Sequence, residues 1–530
     1  MGARTIADVL NSARFGRALL DALSHPYTAE QARELMRRRV ERRVDHFLLL
    51  CESTIYANPH SHGVYRSLLQ GAGYTWERLS ALTRAHGLEA TLTQLAADGV
   101  YLDIDEFKGK KPVVRRTLTL RVTPSDLDMV TGPSVPLQSS GSRGPAMRTP
   151  IGVEGLKLQA CYLPLVAETL QAHELPVVLY YPMPSTPGIA HLIVFALAGM
   201  PPAAWFSQVP MGPWWQTAAG RSLAILVAAA RLQQIRLPLP SLADIRHPAP
   251  LVRWIRTQCP RGALVATFPG SALHLLQAAR SENLELPPLT FVLGGEPITE
   301  RKRAVLEEAG HHVFPWFATV ETGRIAVGCL KPAAADDMHL LGDRLGAIVR
   351  PRIVDASGVE RGALLFTSLL PEVHKLLLNV ETGDEGSLET IECGCPWEAL
   401  GLRLHVRVVR SFEKLTLEGM TLVVGALAHL AEEILPAQCG GTPADYQFAE
   451  EESRDGLTRL VVSVSPTVSA EEDLIRQTVL ESLRASGPAA TRMTDLLARA
   501  DAVIVRREHP RLTGSGKILT LRTHQRGNKQ

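Results

Sequence analysis

The stretch FVLGGEPITERKRAVLEEAG, residues 291–310, decides how this 530-residue chain is to be read. A short apolar run passes straight into Gly294-Gly295-Glu296-Pro297, and then into a charged segment with helical spacing that Gly310 stops. A buried strand feeding a helix through a tight glycine turn is the repeating unit of α/β proteins, whose ligands bind outside the carboxyl ends of the strands. A plain β-α turn without a ligand has the same pattern, so the neighbouring segments must carry the decision. Outward from this stretch, LPVVLYY (175–181) and GALVATF (262–268) are further apolar runs, alternating with helical segments from about 150 to 390. That alternation predicts an α/β domain with mixed sheets and helices.

Residues 1 to about 110 read as mostly helical, with charged heptad-like stretches such as AEQARELMRRRVERRVDHFLLL (29–50). Beyond 410 the pattern changes. LTRLVVSVSP (457–466) predicts a strand, Ser469 with Glu472 predicts a capping box for a helix ending at Gly487, and DAVIVRR (501–507) predicts another strand. The expected organisation is a large domain over 1–410 and a small, mobile α+β domain over 411–530. There is no internal repeat and no low-complexity segment.

Hydrophobic residues make up 45% of the chain, enough for large buried cores. The 56 basic and 54 acidic residues nearly cancel, so the basic field on which nucleic-acid binding relies is missing. The N-terminus MGARTIADVLNSARFGRALL has neither the apolar core of a signal peptide nor, with Ile6, a myristoylation pattern. The longest apolar region, 189–206, contains His191 and two prolines and falls short of a membrane span. A cytoplasmic enzyme is therefore expected. Seven cysteines, an odd number, suit reduced thiols or metal ligands better than a disulfide framework.

Four further segments carry chemistry. LQSSGSRGPAMRTPI (137–151) packs glycines, hydroxyls and arginines into a loop able to approach an anion closely, although a Ser/Gly surface linker has the same composition. In WFATVETG (316–323), Glu321 could hold Mg²⁺ against a triphosphate. In NVETGDEG (379–386), Asp384 could accept ribose hydroxyls. HPRLTGSGKILTLR (509–522) contains a GSGK that is no P-loop: position 511 is Arg, position 518 is Ile, and the strand-loop-helix order is absent. Lys517 needs another role.

Taken in order, these segments resemble the adenylate-forming superfamily of acyl-CoA synthetases, peptide-synthetase adenylation domains and luciferases. The branch they resemble is that of phenylacetate-CoA ligase and its relatives, through SSGSRG, GGEPIT and the cysteine-rich ECGCPWEALGL (392–402). The resemblance covers roughly residues 60 to 520. It implies that Ser139, Ser140, Gly141, Ser142, Arg143 and Gly144 form a flexible phosphate loop, and that Gly294, Gly295, Glu296 and Pro297 form the adenine-side loop. It implies that Phe317, Ala318 and Thr319 lie against adenine and the acyl phosphate, that Glu321 holds Mg²⁺, and that Asp384 binds ribose. Arg410 becomes the ribose or phosphate arginine before the hinge. Lys517 becomes the small domain's mobile cation, which meets charge developing on the acyl phosphate.

The chain departs from the pattern in three places. The lysine usual after the phosphate loop is replaced by Met147 and Arg148, Val320 cannot supply the usual hydroxyl, and at the hinge Glu413 is the best candidate in VRSFEKLTLEGM (409–420). Cys393 and Cys395 form a C-x-C that could share a metal, for which Cys329 and His339 are the best additional ligands. Some relatives of phenylacetate-CoA ligase resemble this arrangement around a structural zinc. His60, His62, His311 and His312 read as loop or helix-end residues. MPPAAWFSQVPMGPWW (200–215) could wall an apolar acyl pocket, or simply pack in the core.

The expected function is therefore ATP-dependent adenylation of a carboxylic acid, aryl or acyl, with release of pyrophosphate and transfer to a thiol. That thiol would be CoA or the phosphopantetheine of an acyl carrier protein. Transfer to an amine, activation of an inorganic oxyacid such as nitrite, and an inactive scaffold of the same fold are the rivals.

Overall fold

Residues 6–57, 63–116, 118–138, 148–183, 186–353, 360–411, 414–417, 420–485, 488–511 and 521–522 are described by the computed structural model. Ser139 to Gly144, Glu413, Lys517, His60 and His62 lie outside these residues.

A twelve-stranded mixed sheet organises the chain. Its strands are β1 (Val177–Tyr180), β2 (Ala204–Ser207), β3 (Pro240–Leu242), β4 (Ala263–Thr267), β5 (Leu289–Leu293), β6 (His312–Thr319), β7 (Gly323–Gly328), β8 (Met338–Leu340), β9 (Leu345–Ile353), β10 (Glu360–Ser368), β11 (Val380–Thr390) and β12 (Leu404–Ser411). Their order across the sheet is β9-β10-β11-β12-β8-β7-β6-β5-β4-β1-β2-β3. From β3 to β6 every pairing is parallel; from β6 to β9 every pairing is antiparallel.

The parallel half explains the short apolar runs. Every residue of β1, β4 and β5 is buried, because crossover helices such as Thr186–Leu197, Pro269–Ser281 and Glu300–Glu308 connect these strands across the sheet's faces. Strand β6 joins the two halves. Its first part, His312 to Pro315, pairs with β5, and its last part, Trp316 to Thr319, pairs with β7. Pro315, which cannot donate a ladder hydrogen bond, stands where the strand changes partner. A register shift follows between Phe317 and Ala318.

Helices dominate the N-terminal part, among them Ile6–Leu23, Ala29–Glu41, Trp76–His86 and Leu88–Ala97. The second starts at a capping box in which Thr28 and Gln31 satisfy each other's backbone N–H groups. Near the other end, β13 (Tyr446–Glu452), β14 (Thr458–Val464), β15 (Val503–Arg507) and β16 (Leu521–Arg522) form a separate sheet in the order β15-β14-β13-β16. Its apolar core, with Phe448, Val462 and Val479, also takes in Val209 and Ile245 from the large sheet's side.

The capping box expected at Ser469 is not formed. The helix runs from Glu472 to Arg484, and its N-cap is Glu471, without a side-chain cap. Arg507 binds the carbonyls of Val468 and Ala470, on either side of Ser469, which ties that segment to β15 ahead of the helix.

Candidate functional site

The glycine turn follows β5, and packing accounts for both glycines. A Cβ on Gly294 would lie 1.9 Å from Cδ1 and 2.0 Å from Nε1 of Trp316, and Gly295 has a φ of +83° with Phe268 3.0 Å from where its Cβ would be. Glu296 turns inward: its carboxylate, 1% exposed, accepts from the Gly270 amide at 3.2 Å and lies 3.6 Å from Lys302 Nζ. It thereby ties the turn to the helices starting at Pro269 and Glu300, while Gly295 stays exposed. The Pro297 carbonyl accepts from the same lysine at 3.4 Å.

Beside this turn, β6 ends in Phe317, Ala318 and Thr319. Phe317 is half-buried with its ring 6.1 Å from that of Phe366, Ala318 is exposed, and the Thr319 hydroxyl sits 2.8 Å from that of Thr322. Glu321 is half-buried and forms no ion pair among the described residues. Beneath it, the buried His374 meets the Val320 carbonyl at 3.1 Å through Nδ1, and its Nε2 has no partner among the described residues. Burial pushes the His374 pKa down, against the opposing pull of the Val320 carbonyl and Glu321.

Asp384 and Arg410 form a second group. Asp384 faces Ser411 across β11 and β12, Arg410 faces Glu385, and the Asp384 carboxylate accepts from Thr382 Oγ1 at 3.0 Å. Arg410 Nη1 reaches Asp336 at 3.3 Å, and the same carboxylate oxygen accepts from the Val409 amide at 3.1 Å. No bond among the described residues links this pair to Glu321.

The strongest cluster is the one the cysteines suggested. Ligand atoms of Cys329, His339, Cys393 and Cys395 all lie within 4.8 Å of one another. His339 Nε2 is 3.1 Å from Cys395 Sγ and 3.6 Å from Cys393 Sγ, while its Nδ1 lies 2.6 Å from the Leu402 carbonyl. Donation from Nδ1 fixes the tautomer and leaves the Nε2 lone pair facing the sulfurs, the arrangement a metal-bound histidine needs. The contacts with Cys329 and His339 lower the Cys395 thiol's pKa, while the Cys395 contact and burial push that of Cys329 up. The donor set and its spacing suit a tetrahedral ion.

A layer that the sequence did not reveal backs this cluster. The His405 ring packs against that of His339 at 4.0 Å between centroids and tilted by 52°, its Nδ1 lies 2.7 Å from Asp337, and Arg407 grips that carboxylate with two bonds of 2.9 Å. The cue lay in Asp337, His405 and Arg407, separated by some seventy positions, and sequence spacing alone cannot join them. His311 is buried, with Nδ1 accepting from the Leu289 amide at 3.3 Å, and takes no part in the site. In the 200–215 segment Trp205 and Phe206 are core residues and Trp215 is exposed. The aromatic residues near the glycine turn are instead Tyr181, His191, Phe268 and Trp316.

No family model matches the chain, and no curated protein matches it. Solved structures do. The chain is similar to 2-hydroxyisobutyryl-CoA ligase in complex with 2-HIB-AMP and CoA, at 15% identity and a TM-score of 0.48, covering 94% of this chain and 91% of the other. It is similar to o-succinylbenzoate CoA synthetase from Bacillus subtilis (14% identity, TM-score 0.38, 73% and 68% covered) and to ATP-bound MatB from Rhodopseudomonas palustris (14%, 0.30, 72% and 66%). Among the described residues, no helix is long and apolar enough to cross a membrane.

Proposed function

We propose that this chain is an adenylate-forming ligase of the phenylacetate-CoA ligase type, joining a carboxylic acid to a thiol at the expense of ATP. The observation that carries this reading is the junction at β6. There the GGEP turn after β5 and the Phe317–Glu321 segment, two of the motifs that follow one another in the superfamily, lie side by side at the carboxyl ends of neighbouring parallel strands. Ligands of open α/β sheets bind outside such strand ends.

In this reading Ser139, Ser140, Gly141, Ser142, Arg143 and Gly144 bind the β- and γ-phosphates. The turn backbone, with Phe317, Ala318 and Thr319, takes the adenine and the acyl phosphate. Asp384 binds the ribose hydroxyls, and Arg410, which Asp336 positions, assists. Glu321 would hold Mg²⁺, which supplies charge neutralisation on the phosphates. The acid's oxygen attacks the α-phosphate, pyrophosphate leaves, and Lys517 meets the charge that develops. The small domain, turning at Glu413, then admits CoA or phosphopantetheine. Cys329, His339, Cys393 and Cys395 would hold a structural zinc that ties the segment after β11 to β7 and β8. A cytoplasmic location suits this chemistry.

Pyrophosphate release with a panel of acids tests the reading. Lys517→Ala is expected to slow acyl-AMP formation by roughly 10² to 10³, the usual effect of removing one preorganised donor. Transfer from pre-formed acyl-AMP should change little. Equal loss in both half-reactions would refute the assignment of Lys517, and no pyrophosphate with any acid would refute the ligase reading.

A further inference from the structure

Among the described residues, five Lys and Arg side chains are buried: Lys302, Arg303, Arg324, Arg344 and Lys375. Four have a carboxylate of their own, from Glu296, Glu307, Asp343 and Asp128 respectively. Arg324 has none among the described residues. It is 6% exposed, its Nε is buried without an acceptor among the described residues, and the polar side chain that meets its guanidinium is the neutral hydroxyl of Tyr162. What surrounds it is aromatic: the guanidinium lies 3.3 Å from the centre of the Trp316 ring and 5.7 Å from that of Tyr162. A cation–π contact returns only part of what desolvating a guanidinium costs, and an unneutralised buried charge is strongly unfavourable. Burial accordingly drives the Arg324 pKa down, with Arg344 acting in the same direction and the hydroxyls of Tyr162 and Tyr181, but no carboxylate, opposing it.

The position makes this charge useful. Arg324 stands directly opposite Ala318 in the β6–β7 register, at the end of the sheet where the proposed site lies. Trp316, on which it stacks, is the residue that fills the space beside Gly294. Ala318 and Gly295, on the rim, are exposed.

We infer that Arg324 is the counter-ion for a second carboxylate on the substrate, so that the acid activated here is a dicarboxylic acid. This rests on the ligase reading above. Two alternative anions fit less well. A magnesium triphosphate brings several charges and tightly held water, whereas one guanidinium among aromatic rings neutralises a single charge. The carboxylate that reacts becomes a neutral mixed-anhydride carbonyl in the acyl adenylate, which would strand Arg324 again after the first half-reaction. A spectator carboxylate keeps its charge through both half-reactions, and the Tyr162 hydroxyl can donate to it.

The full-length protein is titrated by calorimetry, without ATP, with malonate, succinate, glutarate, adipate and the benzene dicarboxylates, each beside its monomethyl ester. Pyrophosphate release is measured with the same acids and with the matching monocarboxylates. At least one dicarboxylate should bind roughly a hundredfold or more tighter than its half-ester, since a site built around a polar partner rejects the analogue lacking it. Arg324→Met should abolish that preference, Arg324→Lys should restore part of it, and Arg324→Met without ligand should melt no lower than wild type. Dicarboxylate binding without pyrophosphate release would support the inference while removing the ligase reading. Turnover of monocarboxylates with no discrimination against half-esters would overturn the inference and leave the ligase. Failure of every dicarboxylate to bind, or a marked fall in the melting temperature of Arg324→Met, would also overturn it.

Discussion

Replacing Gly294 with alanine separates two reasons for the glycine. If the residue is there for packing, the new Cβ meets Trp316 Cδ1 at 1.9 Å and Nε1 at 2.0 Å, about half of an ordinary carbon–carbon contact. The backbone cannot relieve this, because Leu293 is paired with Pro315 in the β5–β6 ladder. The indole cannot swing freely either: Arg324 lies over it at 3.3 Å, and the rings of His191 and Phe195 are 4.9 and 6.3 Å away. Overpacking of this severity costs about 3 kcal/mol. With an m-value of about 3 kcal/mol/M in urea, the first unfolding transition, followed by tryptophan fluorescence, should move down by about 1 M. Trimming the obstacle supplies the control. Trp316→Leu should be destabilising alone, yet the double variant Gly294→Ala/Trp316→Leu should fall short of the sum of the two by about 2 kcal/mol, since the clash is absent. Strict additivity, or a Gly294→Ala variant as stable as wild type with only a raised KM for ATP, would refute the packing argument and assign the glycine to the nucleotide.

Protein purified without chelators should contain about one zinc per chain by elemental analysis, and Cys395→Ser should lose it and expose the segment around 391–403 to proteolysis; metal-free wild type with an unchanged proteolytic pattern would count against the site. Burial, with smaller contributions from His312 and Arg280, lowers the His311 pKa to about 4, below its unfolded value of about 6.5. The unfolded chain therefore binds that proton first as pH falls. His311 should cost stability progressively from about pH 6.5 down to about pH 4, and His311→Phe should flatten this part of the urea-midpoint profile; parallel profiles would refute the assignment.

How much of this could be read from the sequence depended on whether the relevant contact was local. The apolar runs ending at Leu293, Thr267 and Tyr180 announced the buried strands of an α/β domain, because a strand covered on both faces needs apolar residues throughout, and the helix after Gly295 was legible from its own spacing. The four metal-ligand candidates were legible as residue types, and the fold brings their ligand atoms together. Ser469 misled because a capping box is a local rule, and it was overruled by Arg507, on a strand 38 residues further on.

Glu296 shows the same limit from the other side. Its place in a GGEP turn suggests a ligand-facing carboxylate, whereas Gly270 and Lys302 hold that carboxylate inside the protein. Arg324 could not have been found in the sequence at all. It stands three residues after Glu321, in a segment where a charge is easily taken for a loop residue, and its significance is relational. It lies in the ladder of a fully buried strand, against Trp316 from β6 and Tyr162 from a helix boundary, and the anion that would make such a position inexpensive is not supplied by any described side chain. A charge pattern along the chain reports which cations exist; only the folded neighbourhood reports which of them lacks a partner. For a protein whose proposed chemistry consumes an anionic substrate, that unmatched charge is the feature that the proposed second carboxylate would answer.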